Sequence, residues 1–138
     1  MKIYFAGSIT GGRDDQGLYL EIIKLLTNYG EVLTEHIGDA VVTDAGESLD
    51  VGLIFSRDVG WLESADVVVA EVTQVSLGVG YELGIAEKLG KKVLCLYRPR
   101  EDGNRLSAMI LGNKHFSVQA YKTLEDAKTI FDKELINQ

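Results

Sequence analysis

The chain has 138 residues, 46% of them hydrophobic and 25% charged, a mix that fits one globular domain over residues 1–138 and excludes a disordered protein. Fourteen Lys and Arg against twenty-one Asp and Glu leave a net charge of −7. That balance argues against a nucleic-acid polymer as partner, because polymer binding needs a basic footprint, yet it leaves room for a small anion held by local N–H groups and one or two Arg. The lone Cys95 and two His exclude a disulfide framework and argue against structural zinc, as expected of a protein from a reducing compartment. The chain runs directly into Lys2-Ile3-Tyr4-Phe5 without an apolar leader, and no apolar run nears the ~20 residues that span a bilayer. A soluble protein of the cytoplasm is expected, with the nucleus left open and no membrane partner.

Short apolar runs alternate with helical patterns along the whole length. The first run is 3–6, followed by a helix pattern over 16–29 with Leu18, Ile22, Leu25 and Leu26 on one stripe and Gly30 at the C′ position. Val32-Leu33 is the second run. Leu49, Leu53, Ile54 and Leu62 mark a helix over 49–64, and Val67-Val68-Val69-Ala70 the third run. A helix over 80–89 ends at Gly90. Strand patterns at 93–97 and, more weakly, at 116–118 follow, and Leu124, Ala127, Ile130, Phe131 and Leu135 lie on the last helix. Val-rich runs without alternation are the mark of parallel strands covered on both faces. Five β–α units predict a doubly wound, five-stranded parallel α/β sheet, flavodoxin-like or Rossmann-like, with 2-1-3-4-5 the favoured order.

In such sheets ligands bind beyond the carboxyl ends of the strands. The segments at that edge are 7–13, 35–36, 71–84 and 98–107, and the polar and Gly-rich residues concentrate there. Gly7-Ser8-Ile9-Thr10-Gly11-Gly12-Arg13 is either a flexible turn or a cradle whose backbone approaches an anion, and its place at the ligand edge favours the cradle. It is neither a Walker A loop nor a GxGxxG fingerprint. After the third run, Gly78 and Gly80 remove side chains where a helix begins, and Ser76 is placed to cap that helix or meet a phosphate.

Glu82 falls in the first or second turn of that helix, where a Glu also serves simply to complement the helix dipole. Asp58, between Arg57 and Trp61, lies in a helix pattern, where an Asp is usually a solvated surface residue. Two carboxylates at one pocket suit glycosidic chemistry: one stabilises or attacks the sugar C1 and the other protonates the leaving group. Tyr4 on the first strand reads as packing or as part of the site, and His36, after the second, as solvated or ligand-facing.

Together these residues resemble the 2'-deoxynucleoside 5'-monophosphate N-glycosidases (deoxynucleotide N-hydrolases) of the nucleoside 2-deoxyribosyltransferase superfamily. The resemblance rests on residues 4–9 with Gly11-Gly12-Arg13, on Val32-Leu33-Thr34-Glu35-His36, on Asp58 with Trp61-Leu62, and on the runs 65–74, 76–84 and 106–110. It implies hydrolysis of a deoxynucleotide to free base and 2-deoxyribose 5-phosphate without metal or organic cofactor. Glu82 matches the nucleophile that forms a covalent deoxyribosyl intermediate, Asp58 the acid/base, and Tyr4 the tyrosine that orients the nucleophile. Gly7 to Arg13, His36, Ser76 and Gly78 match the substrate pocket, and Ser107, Ala108 and Met109 a segment that reaches the neighbouring subunit's site, which implies a homodimer with shared active sites. Animal members carry Arg where this chain has Thr10. Arg13 is then the loop's only cation, and Arg98, Arg100 and Arg105 are the candidates to replace the missing charge. A deoxyribosyltransferase, a pyrimidine ribonucleotide N-hydrolase and a non-catalytic nucleotide-binding module are the alternatives.

Overall fold

A computed structural model describes residues 1–8, 15–34, 50–103 and 105–136. The expected site residues Ile9, Thr10, Gly11, Gly12, Arg13 and His36 lie outside the described residues. In chain order the elements are β1 (Lys2–Ala6), α1 (Gln16–Leu26), β2 (Glu31–Val32), α2 (Val51–Ser64), β3 (Val67–Glu71), α3 (Leu77–Lys88), β4 (Lys92–Tyr97), α4 (Ala108–Leu111), β5 (Phe116–Ala120) and α5 (Leu124–Phe131), which continues as a π-helical turn over Asp132–Ile136. The strands form one sheet in the order β2-β1-β3-β4-β5, and every pairing is parallel. Both the class and the order agree with the sequence expectation.

Each central strand is buried on both faces because its neighbours in sequence point to opposite layers. Ile3, Phe5, Val67, Val69, Leu94 and Leu96 meet α1 and α5 in one apolar cluster. Tyr4, Ala6, Val68, Ala70, Val93 and Cys95 form the second cluster with residues of α2 and α3. All five residues of β3 are buried. Four are the Val and Ala expected of an interior strand. The fifth is Glu71.

The chain leaves β1 in one direction to β2 and in the other to β3, so the switch point of the sheet lies between the carboxyl ends of β1 and β3. Thr34 fixes that end of β1. Its hydroxyl accepts from the Phe5 N–H at 2.7 Å and donates to the Phe5 carbonyl at 2.6 Å, replacing ladder bonds that the two-residue β2 is too short to supply.

Three local readings change. Helix α1 stops at Leu26, and Gly30 is not a left-handed cap. Its lack of a side chain admits the Met1 carbonyl oxygen, which would lie 2.2 Å from a Cβ. Gly90 does have the left-handed conformation, with φ +69°. Helix α3 begins at Leu77, earlier than its periodicity suggests, because Ser76 caps it by accepting from the Val79 N–H at 3.2 Å.

Candidate active site

Tyr4, Asp58 and Glu82 come from β1, α2 and α3, on the same side of the sheet. Strand alternation turns Tyr4 into the α2/α3 layer, where it is fully buried. Its hydroxyl donates to the Glu82 carboxylate. Glu82 sits in the second turn of α3, with its Oε2 atom buried and without a hydrogen-bond partner among the described residues. Buried polar atoms are almost always paired, so an orphaned carboxylate oxygen at a ligand edge marks a place built for something other than folding.

The electrostatics follow from this placement. Burial pushes the Glu82 carboxyl up to about 7; the Tyr4 hydrogen bond opposes that shift and the nearby Asp58 charge adds to it. The Tyr4 hydroxyl is pushed well above its ordinary value by burial first, then by the Glu82 and Asp58 charges. Tyr4 is therefore a donor at every working pH. Asp58 is half-buried on α2, and the Arg57 guanidinium donates to its Oδ1 through Nε at 3.0 Å and Nη2 at 2.9 Å. Two carboxylates, one raised into the neutral range and one in an ion pair, are the equipment of acid–base and nucleophilic chemistry at a sugar carbon.

Gly7 and Ser8 follow β1 directly. A Cβ on Gly7 would lie 3.0 Å from the Tyr19 ring, so this glycine seats the turn on α1. The Ser8 N–H donates to the Tyr19 hydroxyl at 3.2 Å, while the Ser8 Oγ is buried without a partner among the described residues. Ser76 and Gly78 stand at the start of α3, where the Ser76 hydroxyl proton stays available after the oxygen has accepted from Val79. Ser107, Ala108 and Met109 lie elsewhere. Ser107 caps α4 by accepting from the Met109 N–H at 3.2 Å, and α4 packs on β5 at the sheet edge.

The opposite face carries a second polar group that the sequence reading did not single out. Glu71 is fully buried at the end of β3. Its Oε1 accepts from the Thr73 N–H at 2.7 Å, and its Oε2 from the Tyr121 hydroxyl and from Arg98 Nε at 3.3 Å. Arg98 also pairs with Asp15 at the start of α1, and its N–H donates to Thr73 Oγ1 at 3.0 Å. The network joins the chain after β3, the chain after β4 and the start of α1. Arg98 is thereby committed to two carboxylates, and Arg100 meets Asp102 at 3.4 Å. Of the three arginines considered as replacement cations, Arg105 is the exposed one with no ion pair among the described residues. A charged residue closing an otherwise apolar strand at the ligand edge was the available signal for Glu71.

Among the described residues no cluster of three His, Cys, Asp or Glu could hold a metal ion, and no helix is long and apolar enough to cross a membrane.

Comparison with known proteins bears on the family of the chain and on its fold. A Rattus norvegicus protein named 5-hydroxymethyl-dUMP N-hydrolase is 52% identical over 137 residues, covering 96% of this chain and 83% of its own. A Nematostella vectensis protein provisionally named 2'-deoxynucleoside 5'-phosphate N-hydrolase 1 is 60% identical over 126 residues, covering 88% of this chain and 85% of its own. Among solved structures, a Clostridium botulinum CMP N-glycosidase superposes with a TM-score of 0.66 over 96% of this chain and 98% of its own; at 18% identity the likeness is one of fold. A family model described as nucleoside 2-deoxyribosyltransferase matches residues 3–130. With Tyr4, Asp58 and Glu82 gathered at the switch point of a parallel sheet and relatives above half identity along most of its length, the chain belongs to the nucleoside 2-deoxyribosyltransferase family.

Proposed function

We propose that this chain, as one domain over residues 1–138, hydrolyses the N-glycosidic bond of 2'-deoxynucleoside 5'-monophosphates, releasing free base and 2-deoxyribose 5-phosphate without a cofactor. The observation that carries the reading is the buried, unpartnered Oε2 of Glu82 beside the Tyr4 hydroxyl and the Asp58 carboxylate. In the first step Glu82 attacks C1', the bond to the base breaks, and Asp58 gives its proton to the departing base. Water then attacks C1', Asp58 takes the proton back, and Glu82 leaves as carboxylate. A 2-deoxy sugar lacks the electron-withdrawing 2'-hydroxyl, so positive charge at C1' develops readily and a carboxylate alongside stabilises it. Ser8 and Ser76 offer hydroxyl protons, and Gly7 and Gly78 open backbone, to the sugar and its phosphate. The rat and Nematostella relatives support a deoxynucleotide substrate through their names. We assign the activity to the cytoplasm, in keeping with a free, buried Cys95 whose thiol burial pushes up to about 12.

Incubation with a panel of deoxy- and ribonucleoside monophosphates and nucleosides, with chromatography of the products, tests the reading. Free base and sugar phosphate in equal amounts from deoxynucleotides support it. A new nucleoside formed in preference when an acceptor base is added points to the transferase chemistry that gives the family its description.

The alkaline limb of the kcat/KM profile is expected near pH 7, because the two carboxylates must keep one proton between them and the Glu82 carboxyl, held at about 7, is the last to lose it. Tyr4→Phe keeps the packing but removes the bond that favours the Glu82 anion. The alkaline limb then moves to higher pH, and kcat/KM at neutral pH falls about tenfold or more, because Glu82 is ionised in a smaller share of the molecules. A profile overlapping the wild type would show that Tyr4 only packs.

A homodimer completes the proposal. Leu77 is 93% exposed, Val75 89%, Met109 80% and Val51 80%, all at or near the ends of α2, α3 and α4. Such apolar residues on a monomer surface support an interface that brings Ser107–Met109 of one subunit to the partner's site. Leu77→Asp is expected to give a monomer by light scattering and to lower activity in parallel; a fully active monomer would contradict shared sites.

A further inference from the structure

Asp58 is not held as an isolated side chain. Arg57 precedes it on α2, and adjacent helix residues diverge by about 100°, yet both the Nε and Nη2 of Arg57 donate to one oxygen, Oδ1, at 3.0 and 2.9 Å. Trp61, one turn further along, explains the conformation. The guanidinium lies over its ring, 4.7 Å from the centroid, and Trp61 packs against the apolar cluster beneath α2 and α3. With 23% and 26% of their side chains exposed, Arg57 and Asp58 form a sheltered pair rather than two solvated charges.

The groups around the two carboxylates set up a choice. Tyr4 faces them from β1, Arg57 and Asp58 come from α2, and Glu82 comes from α3, with Tyr81 beside Phe55 at the rim. Arg13, Glu35 and His36 lie outside the described residues. Among the described residues Arg57 is the cation seen in an ion pair with Asp58, and its charge also reaches the Tyr4 hydroxyl. The displacement needs a single proton on the pair of carboxylates, and needs it on Asp58. An ion pair with Arg57 favours the other arrangement, with Asp58 ionised and the proton on Glu82.

We propose that Arg57 is a positioning residue that decides which of the two carboxylates carries their shared proton, holding it on Glu82 while paired with Asp58 and letting it pass to Asp58 when that pair opens. The inference rests on the function proposed above. One proton moves from a Glu82 oxygen to an Asp58 oxygen, nothing is oxidised, and the pair keeps its total charge. The Arg57-paired form is thus the larger, resting population and the attacking form the smaller one, so loss of Arg57 enlarges the working fraction.

The test compares wild type, Arg57→Gln and Arg57→Lys by two readouts. Carbon-13 NMR of labelled carboxylates, with Asp58→Asn to assign the Asp58 signal, follows its titration in the free enzyme. In Arg57→Gln the Asp58 midpoint is expected to rise by about one pH unit, since an adjacent guanidinium depresses a carboxyl by that order; in Arg57→Lys it stays near wild type. In kcat/KM against pH on a deoxynucleotide, the acid limb reports the first proton leaving the pair, from Asp58, and moves up with that midpoint, while the maximum rises as the working fraction grows. An Asp58 midpoint unmoved in an Arg57→Gln protein of native thermal stability overturns the proposal, as does a moved midpoint with the acid limb in place. If the wild type releases no base from any nucleotide, the proposed function falls instead, and the NMR readout alone decides whether Arg57 sets the proton's place.

Discussion

Glu82→Gln is expected to lower base release on the order of 10³-fold or more and, at the same time, to stabilise the protein above pH 7. The activity loss follows from removing the group that bonds to C1', since the amide neither attacks nor neutralises the developing charge. The stability gain follows from linkage. Burial raises the Glu82 carboxyl from 4.5 to about 7 in the folded chain, so between those values the folded state holds a proton that the unfolded state has released. Stability therefore declines as pH rises through that window, and the deficit is fully present above pH 7. Gln has no proton to lose and still accepts from Tyr4. Urea unfolding at pH 5 and pH 8 checks this: the variant's advantage grows from the lower to the higher pH. Equal stability at both would mean that the carboxyl is solvated and unremarkable.

Glu71→Ala carries the largest expected loss of stability. Glu71 has no exposed surface, and its two oxygens take three donors from Thr73, Arg98 and Tyr121. Truncation leaves those donors facing a void beneath the sheet edge, and among the described residues Arg98 keeps only Asp15 as a charged partner. Breaking such a pair costs about 3 kcal/mol, the lower end of the range for buried pairs, because 31% of the Arg98 side chain stays exposed. That corresponds to a fall in the thermal midpoint of roughly 10 °C. Glu71→Gln keeps an acceptor for the Thr73 N–H and is expected to lose less. A Glu71→Ala midpoint equal to wild type would show that the network is not made in solution.

The fold was readable because its strands carry an unmixed signal. Val67 to Ala70 and Val93 to Tyr97 are apolar at every position, which only strands covered on both faces require, and Gly90 marks a true left-handed helix end. Gly30 misled because a helix C-cap and a close backbone approach both call for glycine, and only the Met1 carbonyl reveals which applies. Helix α4, four residues long, has no period to read; Ser107 was noticed through resemblance instead.

The site was readable in part. Asp58 and Glu82 lie in helix patterns where exposed carboxylates are ordinary, and Tyr4 in a strand where an aromatic is ordinary packing. What separates them from the ordinary is that β1, α2 and α3 converge, a relation between residues far apart in sequence. Glu71 escaped notice for the opposite reason. A charge at the end of an apolar run reads as the first loop residue, and its burial depends on Tyr121, fifty positions later. Arg57, taken as a mere flank of Asp58, gains its meaning from Trp61 one turn away.

The central claim is that Glu82 attacks the sugar of a deoxynucleotide. Rapid quenching of the enzyme with a 2'-deoxynucleoside 5'-monophosphate, followed by peptide mass spectrometry, tests it most directly. The account predicts a first-turnover release of base together with a deoxyribosyl phosphate attached to the α3 peptide at Glu82. Base release with that peptide unmodified at every quench time, or no base release at all, would contradict it.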